Sequence, residues 1–513
     1  MGKSCFSNWL ILLLLLCGVA IPTWNAMSDE NSGDSSDDHS VNYDLAKQLS
    51  EGDGTSSKNH PFVESKSKIE DGEIAGLLIG KNKVTFFSYD KRYFEEPFNQ
   101  GENFADQNFF KKFSKLMSAD FSGIELTKDR LENMQKFLPK NLQCFGIDCC
   151  KISDELVELV SDIVQKRSDI KHLTIMLPEV NSDGAKSITS AMAGFSGLQS
   201  LNLVFDAVTK KSCADISKLI ETSPQMETLS LGWSNIDDND EEDSAYKEIG
   251  ENIGKLKILK RFELSIMNVD GKACSFIFGG IKPLEELMRL KLFFGNISVF
   301  NGVKLFERSE ELTDSLANKR KLTSLDLSYM SLPKDAMQVI TQNVGSLVSL
   351  KCLDLSGNPI DNESASLLAE SLKNLQQLEV LIMNKCSLNE QTFSTICKSL
   401  DNSQLKVLYV SNNDIKSGIR GFQLKTMESI QVIDFSYNNI PIDASIDFIK
   451  SIADNPNLQA VNFEGNVTTE IADKNKKASE EDKDKIIKER IIIRDKIESF
   501  KRKNRIYTAI FGL

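Results

Sequence analysis

The chain is 513 residues long, 41% hydrophobic and 26% charged, with a formal net charge of −13. That is ample apolar material for a core, while the acidic balance argues against nucleic acid or an anionic membrane surface as partner. Only 3 histidines occur, which lowers the expectation of acid–base or metal chemistry.

The first residues carry a targeting pattern. Lys3 precedes a short apolar run from Trp9 to Ala20, too short for a comfortable membrane span. Small residues at Gly18 and Ala20 fit cleavage after Ala20, so residues 1–20 are expected to be a signal peptide. Residues 21–60 follow, rich in Ser, Asp, Gly and Asn, and are expected to be a disordered acidic linker. Residues 61–120 hold a strand-like Val84-Thr85-Phe86-Phe87 and the aromatics Phe94, Phe98, Phe104, Phe109, Phe110 and Phe113. They are expected to cap the first repeat, or to form a small domain.

From residue 121 to 468 one frame recurs, L-x-x-L-x-L followed by a polar step and another apolar residue. It reads Leu322-x-x-Leu325-x-Leu327 to Leu332, and Leu350-x-x-Leu353-x-Leu355 through Asn358 to Ile360. It recurs at Leu378, Leu405, Ile430 and Leu458, and upstream at Leu287, Leu259, Met226, Leu198, Ile170, Leu142 and, more weakly, Phe121. Steps of 28 residues separate Ile170, Leu198 and Met226, and again Leu322, Leu350 and Leu378. Each frame predicts a short strand with alternate side chains inward. Asn358, Asn413, Asn438 and Asn466 hold the ninth position, with Cys150 and Cys386 as substitutes; there a side chain can bond backbone across repeats. Ala365, Leu368, Ala369 and Leu372 recur at helical spacing, as do Phe393, Ile396, Cys397 and Leu400, so the rest of each repeat is expected to be helical. Beyond 468, residues 469–513 read as a charged C-terminal helix, with Ile486, Ile493, Ile497, Phe500, Tyr507 and Phe511 as a stripe and Lys501, Arg502, Lys503 and Arg505 as a basic end.

The frame resembles the ribonuclease-inhibitor-like leucine-rich repeat, shared with Ran GTPase-activating proteins and the repeat regions of innate immune receptors. The resemblance implies an α/β solenoid, a horseshoe with parallel concave strands and convex helices. It does not carry a function, because the frame is scaffold. Of the 10 cysteines, eight remain after Cys5 and Cys17 leave with the signal; scattered along a stiff rod, they are expected to be mostly reduced and buried.

Motifs for chemistry are weak. Gly76-Leu-Leu-Ile-Gly80-Lys81-Asn82 has the wrong glycine spacing for a phosphate loop and lacks the magnesium-binding hydroxyl. The acidic run from Asp237 to Asp243 lacks the turn glycine of a calcium loop. No catalytic residue, metal or cofactor is therefore assigned. Asn296, Asn362 and Asn466 head glycosylation sequons. The expected function is a secreted or cell-surface binding protein, a microbial effector or surface protein acting on a host protein, with delivery into the host cell as one route; the alternative is a GTPase activator. The expected binding site is the concave face. There the eighth frame position places Phe205, Trp233, Ile266, Phe294 and Tyr329 in one stripe, Tyr409 and Tyr437 extend it, and Asp326, Asp354 and Asp434 form a negative column beside it.

Overall fold

The computed structural model of the protein describes residues 116–466 except 149, 238–241, 268, 270, 296–308, 423–426, 442–443, 446, 449–450, 452–454 and 456, and four strands beyond that span. The expected signal peptide, acidic linker, most of the acidic insertion, Asn296 and residues 469–507 of the expected C-terminal helix lie outside the described residues, while Thr508–Ile510, expected within that helix, form a strand instead. The described chain divides into two compact units, residues 74–287 with 294–295, and residues 288–293 with 309–510.

In the first unit β1 (Ile74–Ile79), β2 (Lys83–Ser88) and β3 (Tyr93–Pro97) pair antiparallel in sequence. β1 also pairs in parallel with β4 (Ser118–Ser122), the first strand of the repeat ladder. Strand and helix then alternate. The order is α1 (Lys128–Phe137), β5 (Cys144–Asp148), α2 (Val157–Gln165), β6 (His172–Leu177), α3 (Ser182–Ala191), β7 (Ser200–Phe205), a short β8 (Ala207–Val208) and α4 (Lys210–Glu221). It continues with β9 (Thr228–Trp233), a short β10 (Asn235–Ile236), α5 (Glu242–Ile253), β11 (Arg261–Met267) and α6 (Gly271–Ile281). β4, β5, β6, β7, β9 and β11 pair in parallel in that order. The frame leucines at positions 1, 4 and 6, such as Leu198, Leu201 and Leu203, are fully buried under the helices. The helices start where the sequence supplies a cap: the side chains of Thr127, Asn181 and Thr209 accept the backbone N–H of Arg130, Gly184 and Ser212. The pairing also moves the first frame. Ser118 sits opposite Cys144, so that frame starts at Leu116 rather than at Phe121. Ala119 at its fourth position hides it in the sequence.

The second unit runs from β12 (Arg289–Gly295), whose first five residues belong to it, through α7 (Ser309–Leu316), β13 (Ser324–Asp326), α8 (Lys334–Asn343), β14 (Cys352–Asp354), α9 (Asn362–Leu372), β15 (Val380–Ile382) and α10 (Glu390–Cys397). β16 (Val407–Tyr409), β17 (Val432–Asp434), β18 (Ala460–Asn462) and β19 (Thr508–Ile510) follow. β12 to β19 pair in parallel in chain order. The step from Leu405 to Ile430 is shorter than its neighbours, and a 3-10 turn at Lys416–Gly421 takes the place of a helix there.

The ninth position links repeats as the frame predicts. Asn358 is fully buried. It donates from Nδ2 to the carbonyls of Leu327, in the preceding repeat, at 2.8 Å and Leu355 at 3.0 Å, and its Oδ1 accepts the Leu332 N–H at 3.2 Å. Asn413 and Asn466 repeat the arrangement on Met383 and Cys386, and on Phe435 and Asn438. The Cys386 thiol substitutes by donating to Leu355 O. The ladder satisfies backbone groups that the tight turn would otherwise strand in the core.

Candidate binding face

Strand length decides which side chains each unit presents. In the first unit β6, β7, β9 and β11 are six or seven residues long, so alternation there runs on to frame position 8 and turns that residue toward the core together with positions 4 and 6. Phe205, Trp233, Ile266 and Phe294 are accordingly all fully buried. Trp233 donates its indole N–H to the Tyr246 hydroxyl at 3.3 Å, and Phe294 packs edge-on against Phe278. The expectation that Phe205, Trp233 and Phe294 form an exposed docking stripe is therefore corrected: they are core.

In the second unit the strands β13 to β18 last three residues, and the chain turns at once. Position 8 then lies in left-handed backbone, with φ of 56° at Tyr329, 55° at Lys385, 57° at Asn412 and 55° at Tyr437, and its side chain leaves the core. Tyr329 is half-buried and Tyr437 is 40% exposed. Each ring lies against a glycine of the next repeat. A Cβ at Gly357 would come within 2.5 Å of the Tyr329 ring, and one at Gly465 within 2.4 Å of the Tyr437 ring. Both glycines also have positive φ.

The register aligns two rows on the sheet face turned away from the helices. Position 3 gives Ser324, Cys352, Val380, Val407, Val432 and Ala460. From Cys352 onward these are apolar, and with Tyr409 they form a buried hydrophobic cluster of their own. Position 5 gives Asp326, Asp354, Ile382, Tyr409, Asp434 and Asn462. Tyr409, expected in the exposed stripe, is thus 5% exposed within this cluster. In the first unit the same positions are mostly polar: Ser118, His172, Ser200 and Thr228 at position 3, beside Cys144, and Asp120, Thr174, Asn202 and Ser230 at position 5, beside Gly146.

The aspartates have a structural task first. Asp326, Asp354 and Asp434 each accept, on Oδ1, the backbone N–H of the serine two residues on, at 2.8–2.9 Å. Asn462 does the same for Glu464. These Asx turns end the strand and set up the left-handed turn. Asp326 also pairs with Lys291 at 3.5 Å. Asp354 and Asp434 have no ion-pair partner among the described residues. Burial, then the neighbouring Asp326, pushes the Asp354 carboxyl up to about 7, and burial raises Asp434 as well. Burial, then Asp354, Cys386 and Asp326, pushes the Tyr329 hydroxyl up to about 12. The Tyr437 hydroxyl, also raised by burial and then by Glu464, donates to Glu464 at 3.3 Å.

Asp326, Asp354 and Tyr329 thus come together at one end of this face, and Asp434 and Tyr437 near the other. The apolar row was missed in the sequence, although the third letter of each frame spells it. Asn466 spends its amide in the ladder, so its sequon is not an accessible one, whereas Asn362 is exposed at the start of α9. The seven described cysteines are free and, except for half-buried Cys144, buried. Among the described residues no cluster of three or more His, Cys, Asp or Glu is arranged to hold a metal ion, and no helix is long and apolar enough to cross a membrane.

The Leucine Rich repeat family matches residues 346–369, the stretch that carries Leu350, Leu353, Leu355, Asn358 and Ile360. This chain carries leucine-rich repeats. The leucine-rich repeat chain is 24% identical to human NACHT, LRR and PYD domains-containing protein 13 over 157 residues, 30% of this chain and 14% of that protein's length. Solved structures similar to it include the tropomodulin C-terminal domain of Caenorhabditis elegans, at 14% identity and a TM-score of 0.24, covering 33% of this chain and 92% of that one. A TLR13–ssRNA13 complex matches at 14% identity and a TM-score of 0.31, over 69% of this chain and 54% of that one.

Proposed function

We propose that this leucine-rich repeat protein is a binding protein, without catalytic activity, that captures a protein partner on the strand face of its second unit. The observation that carries the reading is the alignment of Asp326, Asp354, Tyr329, Asp434 and Tyr437 on one face by the strand register. Aromatic side chains beside charged groups make efficient interface anchors. The repeat step of 28 residues, with a helix in most of the described repeats, favours the ribonuclease-inhibitor-like subtype. The acidic net charge supports a protein rather than a nucleic acid as partner. The N-terminal targeting pattern supports export, as a microbial effector or surface protein that meets a host protein. GTPase activation, the alternative, draws only on the shared repeat frame, which is scaffold.

The test is site-specific photocrosslinking in the full chain. A photoreactive residue at Tyr437 should trap the partner from host extract, while one at the exposed Val348, on the helical side of its repeat, should not. Trapping from Val348 alone would place the partner elsewhere. Recovery of intact Met1 on cytosolic protein would remove the export part.

A further inference from the structure

The two ends of the position-8 column are copies of one device. Asp326-Leu-Ser-Tyr329-Met-Ser-Leu332-Pro333 and Asp434-Phe-Ser-Tyr437-Asn-Asn-Ile440-Pro441 share their spacing residue for residue. Their geometry matches as closely. The Asx bond measures 2.9 and 2.8 Å, and the tyrosine φ is 56° and 55°. The tyrosine N–H donates to Ser356 O at 2.6 Å and to Glu464 O at 2.7 Å. Each ring rests on a glycine of the following repeat. Around each ring stand two carboxylates, Asp326 and Asp354 at Tyr329, Asp434 and Glu464 at Tyr437. Between these stations the column carries the opposite charge: Lys385 lies on the repeat midway between them, two strands from each.

An aromatic ring flanked by carboxylates attracts a cation through its π face and by charge together. Four strand steps separate the stations, roughly 19 Å at the usual strand spacing. Every strand from β13 to β17 is hydrogen-bonded on both sides, so an extended peptide would find no backbone groups to pair with. A helix satisfies its own backbone and needs only side-chain contacts. At 1.5 Å per residue, roughly 19 Å is about 13 residues of helix, and the nearest separation that keeps both side chains on one face is about 14 residues, close to four turns.

Resting on the proposed binding role of this face, we propose that the Tyr329 and Tyr437 stations each hold an Arg or Lys side chain of one partner helix, the two cations about 14 residues apart on one helix face with an acidic residue midway opposite Lys385.

Three fluorescent helical peptides of alanine and glutamine test this by anisotropy against the full chain. One carries two Arg about 14 residues apart with Glu midway, one carries the Arg pair five residues apart, and one is an extended, proline-spaced peptide with two Arg six residues apart. The first should bind at least tenfold tighter than the other two. Asp354→Asn with Asp434→Asn should abolish that preference, because Asn keeps the Asx turn, as Asn462 shows, and removes the charge. Tyr437→Phe should retain the preference and Tyr437→Leu should lose it, which separates ring loss from turn loss. Equal binding of the three peptides, a preference for the extended one, or a preference unchanged in the Asn pair would overturn the proposal. Crosslinking from Tyr437 in host extract would still stand if the peptides fail, so the failure of this inference is distinct from failure of the binding role.

Discussion

Arg167 is 1% exposed, and among the described residues its guanidinium faces no carboxylate and donates only to backbone carbonyls. It reaches Ile163 O at 2.6 Å, Leu138 O at 2.9 Å, and Met134 O and Pro139 O at 3.2 Å. A buried cation is held here by the carbonyl-rich C-terminal end of α1, where the helix dipole is negative, and by α2. Burial lowers its pKa to about 10, still far above neutral, so the charge persists. Met134 O also accepts the Leu138 N–H, but Leu138 O and Pro139 O receive no other bond among the described residues. Arg167→Met keeps much of the apolar stem and orphans both carbonyls, at about 1–3 kcal/mol each. Relief of the buried charge offsets part of this, leaving an expected net loss of roughly 2–4 kcal/mol. The assay is urea unfolding at pH 7 together with hydrogen exchange, where the amides of α1 should lose protection first. An unfolding midpoint within error of the parent, with α1 protection intact, would refute the claim that this side chain ties α1 to α2.

Other outcomes follow from the same geometry. Trp233→Ala should cost about 3–5 kcal/mol, as for a large core truncation, visible as a lowered melting temperature; a normally stable variant would return Trp233 to the surface. Asn358→Ala should cost about 1–3 kcal/mol, and Asn438→Ala less, because the Asn438 Oδ1 is already without a partner; equal losses in chemical denaturation would remove the ladder argument. The Asp354 carboxyl is raised in the folded chain, so the native state holds more protons than the unfolded one between about 4 and 7. Stability should therefore rise as pH falls through that window, and Asp354→Asn should flatten the slope; a parent curve that falls with acidification there, or a variant with the parent's slope, contradicts the assignment. Cys144, half-buried, should react with a thiol reagent in the native chain before Cys352, Cys386 and Cys397, as peptide mapping would show.

The repeat architecture was legible because its cause is local. A leucine at positions 1, 4 and 6 and an asparagine at position 9 each do in the structure what the frame requires, from Leu353 in the core to Asn358 in the ladder. The placement of position 8 was not legible, because it depends on where the strand stops. Phe205 and Tyr329 occupy the same letter of the same frame, yet one is core and the other rim. What separates them lies three residues upstream and two downstream. Asp326 at position 5 accepts the Ser328 N–H and breaks the strand, and Ser331, with φ of 48°, completes the left-handed turn. Asn202 at position 5 of the Phe205 repeat is also an Asx residue, but it donates to Met176 Sδ, and β7 runs on to Phe205. The composition of that one letter therefore does not decide the outcome, and the Lys385 and Asn412 repeats make the same left-handed turn with Ile382 and Tyr409 at position 5. The same reasoning makes the face of the second unit a consequence of its short strands. Three-residue strands bring position 8 out of the core in every repeat from Tyr329 to Gly465, and only where a tyrosine precedes a glycine by one repeat does an aromatic ring remain on the rim, next to the carboxylates that make the turn.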